Sequence, residues 1–200
     1  NPSLYLYLLC FILFNISIQI FMPYLILYYE VSLQLSNYVL IMAPAIVLAS
    51  VVTALWGKVY DKKGFSFSGA WAMGWLLAGY VLLFFFRSTA LVFAGSLLMM
   101  CGYLSGMAVF GAKIRDLTPV GKAGMFQGLR IISQVLVPGI VGPAIGAAVL
   151  KNAETVIGDD GTEQFIPNQN IFLAALVVIV VLWVILAVIF KTKKEKRYAD

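Results

Sequence analysis

Six stretches of the chain are built almost entirely of apolar residues, separated by short polar or glycine-containing connections. They cover residues 4–29, 33–56, 67–86, 89–112, 131–150 and 171–190, and none contains Asp, Glu, Lys or Arg. The fifth extends back to about Ala123, as 123–150, which brings Arg130 about two turns inside it. A hydrocarbon core about 30 Å thick needs about 20 apolar residues at about 1.5 Å per residue, and these stretches are of that order. In lipid each backbone group must bond within its own segment, so the runs predict helices. The two-residue alternation of a membrane barrel is absent. The expected fold is an all-α membrane protein with six transmembrane helices.

The longest polar connection, 151–170, reads Thr155-Val156-Ile157, then Gly158-Asp159-Asp160-Gly161, then Gln164-Phe165-Ile166. β-Formers on either side of a Gly/Asp turn predict a small hairpin. A calcium loop would need oxygen ligands at a spacing that this segment lacks. Pro23, near the end of the first stretch, predicts a kink there.

Composition strengthens the membrane reading. Hydrophobic residues make up 62% of the 200 residues and charged ones 12%, against about 45–50% and about 25% in soluble domains. Mean hydropathy is +0.95. The net charge of +5 would suggest nucleic acid in a soluble protein, but here the cations sit between the apolar runs, and no nucleic-acid partner is expected. Of the 14 Lys and Arg, only Arg87 and Lys151 lie in the connections after the odd-numbered stretches. The rest, among them Lys58, Lys62, Lys63, Lys113, Arg115 and Lys122, lie at the opposite ends of the runs or in the basic tail 191–200. By the positive-inside rule both termini face the cytoplasm. The expected location is the cell membrane, with the bilayer itself as a partner. Asn1 replaces an initiator Met at the start and reads as a cut point.

Several chemistries are excluded by residue type. The chain has no histidine, so His-based zinc sites and Ser-His triads are not available. Cys10 and Cys101 both lie inside apolar runs and read as small packing residues rather than a disulfide. No buried acid is available for intramembrane catalysis, and no Gly-rich phosphate loop is present. No enzyme activity, metal or cofactor is expected.

The connection after the second stretch reads Gly57-Lys58-Val59-Tyr60-Asp61-Lys62-Lys63-Gly64. It resembles the signature loop of the major facilitator superfamily, G-x-x-x-D-(R/K)-x-G, through Gly57, Asp61, Lys62 and Gly64; Phe65 and Ser66 depart from the family's more basic continuation. The resemblance extends over nearly the whole chain. It implies one half of a major facilitator fold, a three-plus-three inverted repeat, working with the other six-helix half of the same transporter. It also implies that Gly57, Asp61, Lys62 and Gly64 form a conformational gate loop, with Asp61 meeting the start of the fifth helix near Gly121-Lys122-Ala123-Gly124. The fourth stretch lacks the Arg that first halves often carry, which points to the C-terminal half. The segment from Arg115-Asp116-Leu117-Thr118-Pro119 to Gly124-Met125-Phe126-Gln127-Gly128-Leu129-Arg130 is similar to the glycoside and disaccharide cation symporters. Gly142-Pro143-Ala144-Ile145-Gly146 resembles the fifth-helix Gly-Pro segment of many members.

The resemblance places helices one, two, four and five around a cavity, and three and six outside. Polar residues inside the runs are then candidates for its lining: Asn15 and Gln19, four apart on one helical face, Tyr103, and Gln127, Arg130 and Gln134 at three- and four-residue spacing. Asn and Gln offer donors and acceptors to hydroxyl-rich solutes. The same residues could instead tie helices together, and Arg130 could snorkel to the interface. Gly102/Gly106 and Gly142/Gly146 predict close helix packing. The function expected is secondary transport of a small polar solute, with sugars and glycosides as the suggested class, by alternating access. Any proton or sodium coupling would run through the other half. The alternatives are a non-transporting membrane assembly or sensor protein, and a half-sized transporter working as a homodimer.

Overall fold

A computed structural model describes residues 2–158 and 161–199, which are mostly helical. Five helices are long and apolar enough to cross a membrane: Ser3–Ser32, Val39–Phe85, Thr89–Leu117, Gly124–Val149 and Asn170–Lys191. They are compatible with a multi-pass membrane protein.

The first of them is segmented. Helix α1 (Pro2–Phe21) passes into a 3-10 turn (Met22–Tyr24), a short α2 (Leu25–Leu27) and a π-turn (Tyr28–Ser32). Pro23 has no N–H for the helical ladder, and its ring crowds the preceding turn, so the helix departs from α geometry where the sequence predicts it.

Helix α3 (Val39–Phe85) runs for 47 residues. Straight, it would measure about 70 Å, more than twice a bilayer's hydrocarbon core. It is not straight. Gly64 has φ 71° and ψ −178°, a conformation open to glycine and strained for other residues. There the chain turns back on itself: Trp56 Nε1 donates to Ser68 O at 3.1 Å, and the Trp56 and Trp75 rings stand 4.5 Å apart. The second and third apolar stretches are therefore two helices joined at Gly64, the arms 39–63 and 65–85 of α3. This corrects two expectations. The segment 57–63 is helix rather than loop, since Lys58, Val59, Tyr60, Lys62 and Lys63 all accept helical geometry and one glycine suffices for the turn. The run also begins at Val39 instead of Leu33, after turns in which Gln34 takes a positive φ of 53°.

Helix α4 (Thr89–Leu117) outlasts its predicted end at 112. The fifth stretch starts at Ala123 as expected: α5 (Ala123–Ile131), a π-turn (Ile132–Leu136), then α6 (Val137–Val149). Pro138 cannot donate to the Gln134 carbonyl one turn back, which leaves that position without its helical hydrogen bond next to the π-turn. Helix α7 (Asn170–Ala199) continues through the basic segment 191–199. Lys, Glu and Arg are good helix formers, so the basic tail continues the helix.

Helix α1 lies in the core. Phe11, Phe14 and Phe21 are fully buried and meet Phe110, Tyr80 and Phe172. Ile171, Phe172, Ala175, Ile179, Leu182 and Leu186 form the buried stripe of α7, while Trp183 is exposed. Arm 65–85 packs on α4 through glycines: a Cβ on Gly102 would lie 2.4 Å from Leu76 N, and one on Gly79 2.6 Å from Met99 N. Backbones so close admit no side chain at these positions. The predicted hairpin is present, with β1 (Thr155–Ile157) antiparallel to β2 (Glu163–Phe165) and Thr155 opposite Phe165. Asp159 and Asp160 lie outside the described residues. Ser32 Oγ donates to Pro167 O and ties this segment to the end of the first long helix.

Candidate functional site

The predicted cavity residues do not form one cluster. Asn15 is 4% exposed, and its Nδ2 donates to Phe11 O at 2.8 Å. In this conformation it therefore does not line an open cavity; a short amide on a buried helical turn meets its own backbone first. Gln19, on the same side of α1, is half-buried at a close helix crossing, where a Cβ on Gly142 would come within 2.4 Å of Gln19 Cβ. Tyr103 and Gln134 are half-buried, Gln134 within the π-turn that follows α5.

Gln127 and Arg130 do come together. With Gly111, Ile114, Thr118 and Phe126 they line a cavity of about 360 Å³ between the end of α4 and the start of α5. A Cβ on Gly111 would lie 3.1 Å from an Arg130 guanidinium nitrogen, so the absence of a side chain at 111 leaves room for that group. Arg130 Nε is buried and has no hydrogen-bond partner among the described residues. A buried guanidinium N–H beside an open cavity is a ready donor to a hydroxyl or anionic oxygen.

Of the four signature residues, Gly64 makes the turn, and Gly57 sits within the helix of arm 39–63 with open space at its Cβ position. Asp61 and Lys62 are exposed. Asp61 has no hydrogen bond or ion pair among the described residues. Helical geometry instead presents the preceding residue inward, and Tyr60 Oη donates to Asp116 Oδ2 at 2.6 Å. That bond links the turn to the end of α4. Asp116 also stands 3.7 Å from Arg115, an exposed pair of little energetic weight.

Sequence reasoning missed a second set of polar contacts. Ser17 Oγ lies 3.2 Å from Tyr80 Oη, Tyr29 Oη 2.6 Å from Ser96 Oγ, and Thr53 Oγ1 3.2 Å from Ser105 Oγ. Tyr28 Oη donates to Leu83 O. These bonds join the first long helix and arm 39–63 to arm 65–85 and α4. Single hydroxyls inside apolar runs were the available signal, but nothing in their spacing reveals the partner.

The first and fifth long helices cross where both are close to their irregular turns. A Cβ on Gly146 would lie 2.5 Å from Ile20 O, and Tyr24 Oη donates to Pro143 O at 3.3 Å. Gly142 and Gly146 thus let two interrupted helices touch backbone to backbone. No family model and no curated protein matches the chain.

Proposed function

We propose that this chain is one half of a secondary transporter that moves a small polar solute, with a sugar or glycoside as the leading class, by alternating access. The observation that carries the reading is the crossing of two interrupted helices. Discontinuous helices at the repeat interface are how many transporters place backbone and polar groups at a midplane site, and irregular turns recur at functional positions. Here one such turn holds Gln134, and the same helix carries Gln127 and Arg130 into a cavity at one end. The reversal at Gly64, on the Gly57/Asp61/Lys62/Gly64 pattern, supports the major facilitator likeness and a count of six crossings with α3 as two of them. In this reading the basic end faces the cytoplasm across a plasma membrane. The least covered surfaces, on the apolar part of arm 39–63 before Trp56 and on the fifth long helix, meet the second half, which would also supply any ion-coupling carboxylate.

Proteoliposomes containing only residues 1–200 should show no saturable uptake of labelled glycosides, whereas the native transporter purified from its membrane should show uptake that unlabelled solute inhibits. Saturable uptake by the short chain alone would replace the half-transporter reading with a homodimer of half-sized proteins. Lack of uptake by the native protein across sugars, glycosides and other small polar solutes would favour an assembly or sensor role.

A further inference from the structure

The two arms of α3 enclose a groove of about 430 Å³ next to the Gly64 turn, lined by Trp56, Trp71, Trp75, Lys58, Lys62 and Lys63. Arm 39–63 contributes the cations and Trp56, and arm 65–85 contributes Trp71 and Trp75. Lys58 and Lys62 are four apart on arm 39–63 and exposed, so their ammonium groups share a face. Trp71 and Trp75 are four apart on arm 65–85. The Trp75 ring packs against Trp56, whose N–H is taken by Ser68 O, so the aromatic wall is fixed in place. Trp71 remains about half exposed, and the Lys63 ammonium stands 4.2 Å from the centre of the Phe67 ring. None of the three lysines has an ion pair among the described residues.

Unpaired cations beside a partly exposed indole wall match an amphiphile with an anionic head. A soluble phosphate would meet the lysines but leave Trp71 uncovered. An alkyl chain alone would leave the ammonium groups unused. The groove also lies at the ends of two arms long enough to cross a membrane, the depth at which indoles and lysines meet headgroups. We propose that this groove binds one anionic phospholipid, its phosphodiester between Lys58 and Lys62 and the upper part of an acyl chain on Trp71 and Trp75. The proposal rests on the membrane-spanning reading of α3 and not on transport.

Three of the four tryptophans line the groove, so indole fluorescence reports on it directly. The purified protein in detergent is titrated with phosphatidylglycerol bearing brominated chains, with brominated phosphatidylcholine, and with glycerol phosphate as a soluble competitor. Native mass spectrometry counts the lipid retained. The expected result is saturable quenching by phosphatidylglycerol at about tenfold lower concentration than by phosphatidylcholine, with one phosphatidylglycerol retained per chain. Lys58→Gln with Lys62→Gln should remove that preference, Lys58→Arg with Lys62→Arg should keep it, and Trp71→Leu should weaken binding of both lipids. Lys122→Gln, a charge loss outside the groove, should change nothing. Equal or non-saturable quenching by the two lipids would overturn the proposal in favour of ordinary annular lipid. Displacement of phosphatidylglycerol by glycerol phosphate at similar concentrations would overturn it in favour of a soluble-anion site. Melting of each variant without lipid identifies any that fails to fold, and the arginine pair and Trp71→Leu then decide. Uptake plays no part in these readouts, so this test and the transport test fail separately.

Discussion

Glycine-mediated contact appears twice in the molecule, between different kinds of helix. Where arm 65–85 meets α4, both partners are regular α-helices, and Gly79 and Gly102 bring backbone against backbone. Where the first long helix meets the fifth, Gly142 and Gly146 do the same, but each partner has an irregular turn nearby: a 3-10 and a π-turn after Phe21, and a π-turn before Val137. A continuous helix transmits an added bulk along its length, whereas an interrupted one can absorb it by a small change at the turn. The first contact is thus expected to behave as a rigid pair and the second as a joint.

The largest effect tests the rigid pair. Gly102→Leu has no room for even its first carbon, so it should cost on the order of 3 kcal/mol or more and abolish a cooperative melt in detergent. A melt within a few degrees of wild type would show that the contact is looser than described.

Next, Gly142→Ala is compared with Gly102→Ala. The added methyl meets equally short distances at both sites. Absorption by the π-turn should hold the cost of Gly142→Ala to roughly half that of Gly102→Ala, within the overpacking range of about 1–3 kcal/mol. Equal losses would remove the distinction between pair and joint. Hydrogen exchange sharpens the same point: amides of 132–136 should exchange faster than those at the middle of arm 65–85.

A smaller effect comes from the buried hydroxyl pair between α1 and arm 65–85. Tyr80→Phe leaves Ser17 its bond to Phe14 O, so the loss should be about 0.6 kcal/mol, the typical value for such bonds in a membrane bundle. A loss several times larger would mean that the pair belongs to a wider network.

The smallest effect has the opposite sign. Gly57 lies in helix with open space around it, so Gly57→Ala should stabilise by about 0.5–1 kcal/mol. Destabilisation would return residues 57–63 to the loop that the signature pattern suggests.

These tests bear on what could be read from the residues alone. Long apolar runs, the break at Pro23, the start at Ala123 and the hairpin around Gly158 each follow from local composition, and the structure contains them all. The two-armed α3 was only half legible. Gly64 marked a turn, but residues 57–63 carry no helix breaker, and their state depends on Trp56 and Trp75 meeting across the reversal. The site was less legible still. Asn15 and Gln19 share a face in any helix, yet their surroundings are set by long-range packing, which left one bonded to its own backbone and the other under Gly142. Likewise the carboxylate that ties down the turn is Asp116, more than fifty positions from Tyr60, and no local pattern pairs them.

Arg87 follows the end of α3, where its guanidinium donates to the carbonyls of Leu83, Phe84 and Phe86. Those oxygens form the negative pole of a helix, equivalent to about half an elementary charge. Much of the cation's field is cancelled where it stands. A membrane potential acting across this protein would therefore meet one set of connections rich in Lys and Arg and another in which Glu30, Glu154, Asp159, Asp160 and Glu163 outnumber Arg87 and Lys151, a steeper electrical polarity than a count of basic residues conveys.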